Sequence, residues 1–391
     1  MIATKLEAKP AEQFQKEIVS ELVHSAGPCI TLLLPPYRPG AGESPAALLK
    51  TTLHEAAQKL AARKISESQI GELLEPLRQW SHEEESVAGS VSVRAIFRSA
   101  GLLHQFELPA PPPRIRACTV GGCFWLRPIL NSLALPSHIY VLDVTKKAVA
   151  LLACSFSEVT GVELPEGTPK TLSSALAFKA PDHDLINRSS AGPSTGAMLG
   201  VQFGTGSGRE TQRAYLHDFY RAVDRGLNEF LRWSQAPLIL AGVDEDAAIY
   251  RSISAYPHLL TQSIHGSPGA PLYAAQVLRE AHQIALLDVQ RRTAQEMASA
   301  KERLSPARFS VHLTDILQAA VEGRVNDLYI DENAERSGDF DGKVFGGQVN
   351  WHDEDLLNVA AVETLRRSGA VSSLASHLMV GGSAIAAAFR Y

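Results

Sequence analysis

A mixed α/β fold in three domains is what this sequence predicts, and three observations predict it. Short apolar runs of strand character alternate with segments of helical period along the chain. The chain has 391 residues, enough for two or three domains at roughly 100–200 residues each. Two segments interrupt the alternation: the proline cluster Pro109, Pro111, Pro112 and Pro113, and a long helical stretch over 271–300. They place domains at 1–125, 126–265 and 305–391, with 266–304 as a bridging helix.

Residues 11–25 carry Phe14, Ile18, Leu22 and Val23 at helical spacing and lead into the apolar run 29–34, which Pro35 and Pro36 close. That pattern is a helix feeding a buried strand. Segments 44–64 and 66–80 form two more helices, the second with Ile70, Leu73, Leu74 and Leu77 on one face. Short strand-type runs follow over 87–108. Strands over 137–144 and 148–156 flank Thr145, Lys146 and Lys147 as a hairpin, and 159–164 completes a meander. Gly192, Gly196, Gly200, Gly204, Gly206 and Gly208 make 192–208 a loop. It feeds a helix over 209–233 whose apolar positions Leu216, Phe219, Tyr220, Val223, Leu227, Phe230 and Leu231 keep the helical period and predict packing on a sheet. Next come a buried strand (237–243), a helix (247–255) and the bridge, whose apolar face thins toward its end. The last domain alternates helix 314–322, strand 327–331, a Gly-rich irregular stretch, helix 355–367 and strands 371–376 and 384–389. No period of 20–50 residues repeats, which excludes solenoids and propellers.

Composition narrows the function classes. Hydrophobic residues at 45% and charged residues at 20% are those of an ordinary globular protein. Lys+Arg 37 against Asp+Glu 42 gives a net charge of -5, so a generally basic, histone-like binder is excluded and any nucleic-acid contact is regional. Four scattered cysteines form no disulfide framework and suit a reducing compartment. The charged N-terminus reads as the start of the folded protein, and no apolar stretch approaches the roughly 20 residues that span a bilayer. A soluble, cytoplasmic protein is expected.

The motif letters are mostly better explained by structure. Gly192, Ser194 and Gly196 spell the hydrolase elbow, but no buried strand precedes the serine. Residues 331–342 resemble a calcium loop with Arg336 where glycine belongs and Gly342 where glutamate belongs. Cys118 and Cys123 lack the other two ligands of a structural zinc and read as core thiols. The clusters Asp182, His183, Asp184 and His352, Asp353, Glu354, Asp355 read as a solvated loop and an acidic helix start. Neither nucleotide fingerprint is met around Gly204, Gly206 and Gly208. No catalytic residue, metal or cofactor is assigned. Arg209 and Arg213, one turn apart where a helix leaves a Gly-rich loop, with Arg221 and Arg225 farther along, suit phosphate binding. A solvated helix face accounts for the same residues.

Four segments together resemble the archaeo-eukaryotic class I release factor and Pelota superfamily, in its bacterial branch. The tail from Gly381 and Gly382 through Phe389, Arg390 and Tyr391 is similar to the Gly-Gly-Ile-x-x-Ile-Leu-Arg-Tyr ending of the release factor's last domain, and 319–331 to that domain's helix–strand entry. In the middle, 238–244 resembles the strand after the catalytic-loop helix, and 140–151 the domain's opening hairpin. The resemblance implies a ribonuclease-H-like middle domain, a kink-turn-binding, ribosomal-protein-like last domain, and a ribosome-associated factor. Its implied partners are the ribosome and ribosomal RNA, with an elongation-type GTPase as a further candidate.

The family's catalytic Gly-Gly-Gln is missing from its loop, which here runs through Gly196, Gly200, Val201, Gln202 and Gly204. Gly346, Gly347 and Gln348 spell it in the last domain, where the chain order is wrong for the catalytic tip. The expectation is a factor of ribosome rescue or hibernation whose RNA contacts are Gly200, Gln202, Gly204, Gly206, Gly208, Arg209 and Arg213. The alternative is a hydrolase: a peptidyl-tRNA esterase using Gly200, Val201 and Gln202, or a nuclease using Asp143, Asp182, Asp184 and Asp244.

Overall fold

A computed structural model describes residues 19–25, 27–35, 45–83, 93–109, 116–177, 205–266, 273–344 and 347–391. The mixed α/β class is as expected. The chain divides into two compact units, one of Met1–Ser137 with His282–Tyr391 and the other of His138–Ala281. The division differs from the three domains read from the proline cluster, because the first and last parts of the chain fold as one unit.

In that flanking unit, α1 (Val19–His24) precedes β1 (Cys29–Leu34), the run CITLLL. With β2 (Val93–Ser99), β3 (Leu102–Leu108) and β4 (Cys118–Gly121) it makes an antiparallel sheet in the order β3-β2-β1-β4. Successive residues of β1 are buried on both faces of the sheet, which is why it is apolar almost throughout rather than alternating. Helices α2 (Pro45–Ala62) and α3 (Glu67–Glu83) pack on the sheet, with Leu53, Leu60, Leu74 and Leu77 against Ile30, Leu32 and Ile96. Ser66 and Gln69 start α3 with a reciprocal capping box, each side chain accepting from the other's backbone N–H at 3.4 Å.

The second sheet of this unit has the order β10-β15-β11-β14, from β10 (Phe309–Ser310), β11 (Val325–Asp331), β14 (Ala370–Leu374) and β15 (Ile385–Phe389). The stretch 332–354, expected to be irregular, is instead an antiparallel hairpin of β12 (Ser337–Val344) and β13 (Gly347–Asp355). Gly338 and Gly342 weaken the strand signal in the sequence. At Gly342 a Cβ would meet the Phe340 ring at 2.8 Å, so packing demands the residue that hides the strand.

Charged side chains join the two sheets. Arg127, at the start of α4 (Arg127–Ala134), donates to the Asp355 carboxylate at 2.7 Å and to the carbonyls of Asp331 and Ala334 at 2.9 and 2.7 Å. Asp355 also caps the helix Leu356–Arg366, accepting from the Leu357 N–H at 3.2 Å. Glu354 accepts from the Gly122 N–H at 2.7 Å and from Arg63 at 3.0 Å. Asn358 accepts from the Leu126 N–H at 2.8 Å and donates to the Phe124 carbonyl at 2.9 Å. Gly121 permits this approach, since a Cβ there would lie 2.5 Å from a Glu354 oxygen. The acidic run 353–355 is thus a joint between sheets. All four cysteines are buried free thiols, and burial pushes Cys29, Cys118 and Cys154 up to about 12.

The middle unit holds a five-stranded sheet in the order β7-β6-β5-β8-β9, from β5 (Ile139–Val144), β6 (Val149–Cys154), β7 (Val159–Val162), β8 (Leu238–Gly242) and β9 (Leu259–His265). The first three strands are an antiparallel meander, and β8 and β9 continue from β5 in parallel. The long helix α6 (Thr205–Phe230) buries Leu216, Phe219, Tyr220, Val223 and Leu227 in the core that also holds Leu142, Leu240 and Tyr250. Gly226 sets its distance from the loop before it, because a Cβ there would meet the Thr168 hydroxyl at 2.0 Å. A helix over Asp244–Ile253 follows β8. The helix expected over 271–300 is α8 (Tyr273–Arg303), whose Met297 packs against Tyr329, Leu374 and Ala386. Among the described residues no helix is long and apolar enough to cross a membrane.

Candidate functional site

The sequence places its candidate RNA contacts where the Gly-rich loop meets the long helix. Gly200, Gln202 and Gly204 lie outside the described residues, as do Asp182 and Asp184 of the nuclease alternative. Gly206, Gly208 and Arg209 are not in a loop: α6 begins at Thr205, so all three belong to its first turns. Glycine costs less there than in a helix interior, because the first four N–H groups of a helix have no intrahelical partner in any case. Arg213 is exposed on the next turn, near the exposed ion pair that Lys146 makes with Glu245 at 2.7 Å. That hydrogen bond holds the Glu245 carboxyl below its ordinary range and the Lys146 ammonium above its own; the Arg213 charge adds to the first shift and opposes the second.

Arg213, His217, Arg221 and Arg225 follow one another at four-residue spacing, a ridge with a step of about 6 Å along α6. Arg213, Arg221 and Arg225 are exposed and make no hydrogen bond or ion pair among the described residues. Beside the ridge lies an open cleft of about 690 Å³. Tyr215, Phe219 and Ala222 of α6 line it with Pro169, Ala175 and Ile253. Arg221 and Arg225 are legible in the sequence as a continuation of the row, but the cleft beside them is not, since its far wall comes from 167–175 and Ile253.

A second polar group of the same unit sits at the sheet. Burial pushes the Asp143 carboxyl up to about 7, and burial also raises Asp246, against the pull of Lys146. One oxygen each of Asp143 and Asp246 and the hydroxyls of Tyr220 and Tyr273 are buried without a hydrogen-bond partner. A buried carboxyl oxygen with no donor or cation beside it is held back from ionising. Asp244 faces His265 at 3.2 Å with both side chains exposed. Among the described residues no group of three or more His, Cys, Asp or Glu side chains could hold a metal ion. In the flanking unit, Gly347 and Gln348 open β13 opposite Val344 and Lys343, and Gly346 lies outside the described residues.

Fold and site together define a mixed α/β protein of two units, in which a three-stranded meander continues into two parallel strands behind a long helix with an unpaired basic ridge. Residues 138–324 match the family described as Bacterial archaeo-eukaryotic release factor family 3, and the match begins at the first residue of the middle unit. The resemblance to the bacterial branch of the archaeo-eukaryotic release factors is thereby shown. No curated protein matches the sequence. Among solved structures, an archaeal translation termination factor, aRF1, aligns at 12% identity over 98% of this chain and 99% of its own, with a TM-score of 0.26. Pelota of Archaeoglobus fulgidus aligns at 12% identity over 78% of this chain and 80% of its own, with a TM-score of 0.38. Dom34 of S. cerevisiae, a translation termination-like factor involved in RNA quality control pathways and interacting with Hbs1, aligns at 10% identity over 77% and 81%, with a TM-score of 0.32.

Proposed function

We propose that this protein is a cytoplasmic, ribosome-associated factor that resembles class I release factors, lacks their catalytic Gly-Gly-Gln in the middle domain, and acts in ribosome rescue or hibernation. The family match over 138–324 is the observation that carries this reading. The strand order of the middle sheet, a meander continued by two parallel strands, supports a ribonuclease-H-like domain there. The last part of the chain is read as the kink-turn-binding, ribosomal-protein-like domain. The partners on this reading are the ribosome and its RNA, with an elongation-type GTPase as the delivering partner. No observation favours the hydrolase alternative, and Gly346, Gly347 and Gln348 are read as having no role in release.

Sedimentation of the full chain with ribosomes through a sucrose gradient, from growing and from stationary cells, tests the proposal. The expected result is co-migration with ribosomes or a subunit and no hydrolysis of peptidyl-tRNA by the purified protein. A protein that stays at the top of the gradient in both conditions overturns it. Hydrolysis that Gln348→Ala abolishes would restore a release activity.

A further inference from the structure

We infer that the cleft beside α6 is a subsite for single-stranded RNA, in which one base stacks on Tyr215 and neighbouring phosphates are held by Arg221 and Arg225. The inference deepens the ribosomal reading, since it names the polymer and the place where the middle unit grips it. At about 690 Å³ the cleft lies within the roughly 300–1,000 Å³ usual for small-molecule and cofactor sites, large enough for one nucleotide unit. Its apolar wall is built from Pro169, Ala175, Phe219, Ala222 and Ile253. Tyr215 is 45% exposed, an aromatic ring left open to a planar partner.

Two arginines and two carboxylates line the cleft, and what differs is their access to solvent: Arg221 and Arg225 are exposed, whereas Asp224 is buried and Asp218 half-buried. Asp224 is 5% exposed and its two oxygens accept from the Tyr250 and Ser254 hydroxyls, the Asn228 amide and the Ala255 N–H. Asp218 is engaged as well. Arg221 and Arg225 line the same cleft with no partner among the described residues, and Arg213 continues their row toward the start of the helix. Unpaired guanidinium groups on one ridge gain nothing for the fold, whereas phosphates spaced along a strand give each a charge-assisted, two-pronged acceptor. An aromatic face next to such a ridge is the combination by which proteins hold single strands without reading sequence. An acidic peptide would satisfy the arginines and leave Tyr215 without a planar partner.

Fluorescence anisotropy of a labelled decauridylate with the full chain tests the inference, with a decauridylate duplexed to its complement, free UMP and poly-glutamate as competitors. Tyr215→Ala is expected to weaken binding of the single strand about ten-fold, while Tyr215→Phe leaves it unchanged. Replacing Arg221 and Arg225 by Gln is expected to lower the salt slope by about 1.4, at about 0.7 per phosphate contact. Circular dichroism checks that each variant is folded. The inference is overturned if wild-type protein does not bind the single strand, if the Gln variants keep the wild-type salt slope, or if the duplex, UMP or poly-glutamate competes as well as the single strand. Ribosome sedimentation of the same variants separates this result from the proposed function. Wild-type and variant proteins that co-migrate alike, with unchanged RNA affinity, sink the cleft and leave the ribosomal reading in place. Loss of RNA affinity in the variants of a protein that never co-migrates supports the cleft and sinks that reading.

Discussion

Arg127 and Arg221 are the same side chain with opposite fates. In the flanking unit Arg127 is 8% exposed and spends its donors on Asp355 and two carbonyls. In the middle unit Arg221 and Arg225 stand in solvent beside a cleft, with no partner among the described residues. A buried guanidinium must be fully paired, because an uncompensated charge in the interior costs several kcal/mol. An exposed one has no such requirement. Saturated charge therefore marks architecture, whereas an exposed charge without a partner makes no structural demand.

The largest expected effect breaks the saturated side. Arg127→Ala leaves Asp355 without its cation and two carbonyls without donors, and is expected to destabilise the protein by about 3–5 kcal/mol in urea unfolding. A loss under about 1 kcal/mol would mean that the joint is solvated and the contrast false. Asp224→Ala comes next. It strands two hydroxyls, an amide and a backbone N–H, for an expected loss of about 2–3 kcal/mol, read in the same way.

Asp143 sharpens the contrast from the other direction, as a buried group that is unsaturated. Burial pushes its carboxyl up to about 7, well above the ordinary carboxylate range, so the folded state holds a proton that the unfolded state has released. Its contribution is fully favourable below the unfolded value and is lost as pH rises through about 7. Asp143→Asn is expected to raise stability at pH 8 by about 1–2 kcal/mol, discounted for the residue's partial exposure, and by much less at pH 4. Equal gains at both pH values would remove burial of the carboxylate as the cause. The smallest effect belongs to the ridge: Arg221→Gln and Arg225→Gln are expected to change stability by less than about 0.5 kcal/mol each, whatever they do to RNA affinity. A loss of 2 kcal/mol would show the ridge to be structural.

Much of the fold was legible because its core elements carry their period in their own residues. CITLLL is β1, LILAG is β8, and Leu216, Phe219, Tyr220, Val223 and Leu227 mark the buried face of α6. Elements with weak or mixed patterns were missed: β4, α4, the short helix Leu172–Ala177, β9, and the hairpin of β12 and β13. The helix Arg127–Ala134 was hidden because it has only 8 residues, about two turns, too few for a helical period to repeat. The start of α6 was read four residues late because glycine is a helix breaker in the interior and only a mild cost in a first turn.

By itself the sequence determined the α/β class, the central strands, the long helix with its row of arginines, and the resemblance in the middle of the chain. These depend on the order of residues within one element, where period and spacing are local. Only the tertiary structure decided that the first and last parts of the chain form one unit, that Glu354 and Asp355 join two sheets, and that a cleft opens beside Tyr215, Arg221 and Arg225. Each of these depends on residues far apart in the chain, such as Arg127 with Asp355 or Gly167 with Ile253. Burial and pairing are properties of what packs around a side chain, and those neighbours are set by the fold rather than by the local sequence.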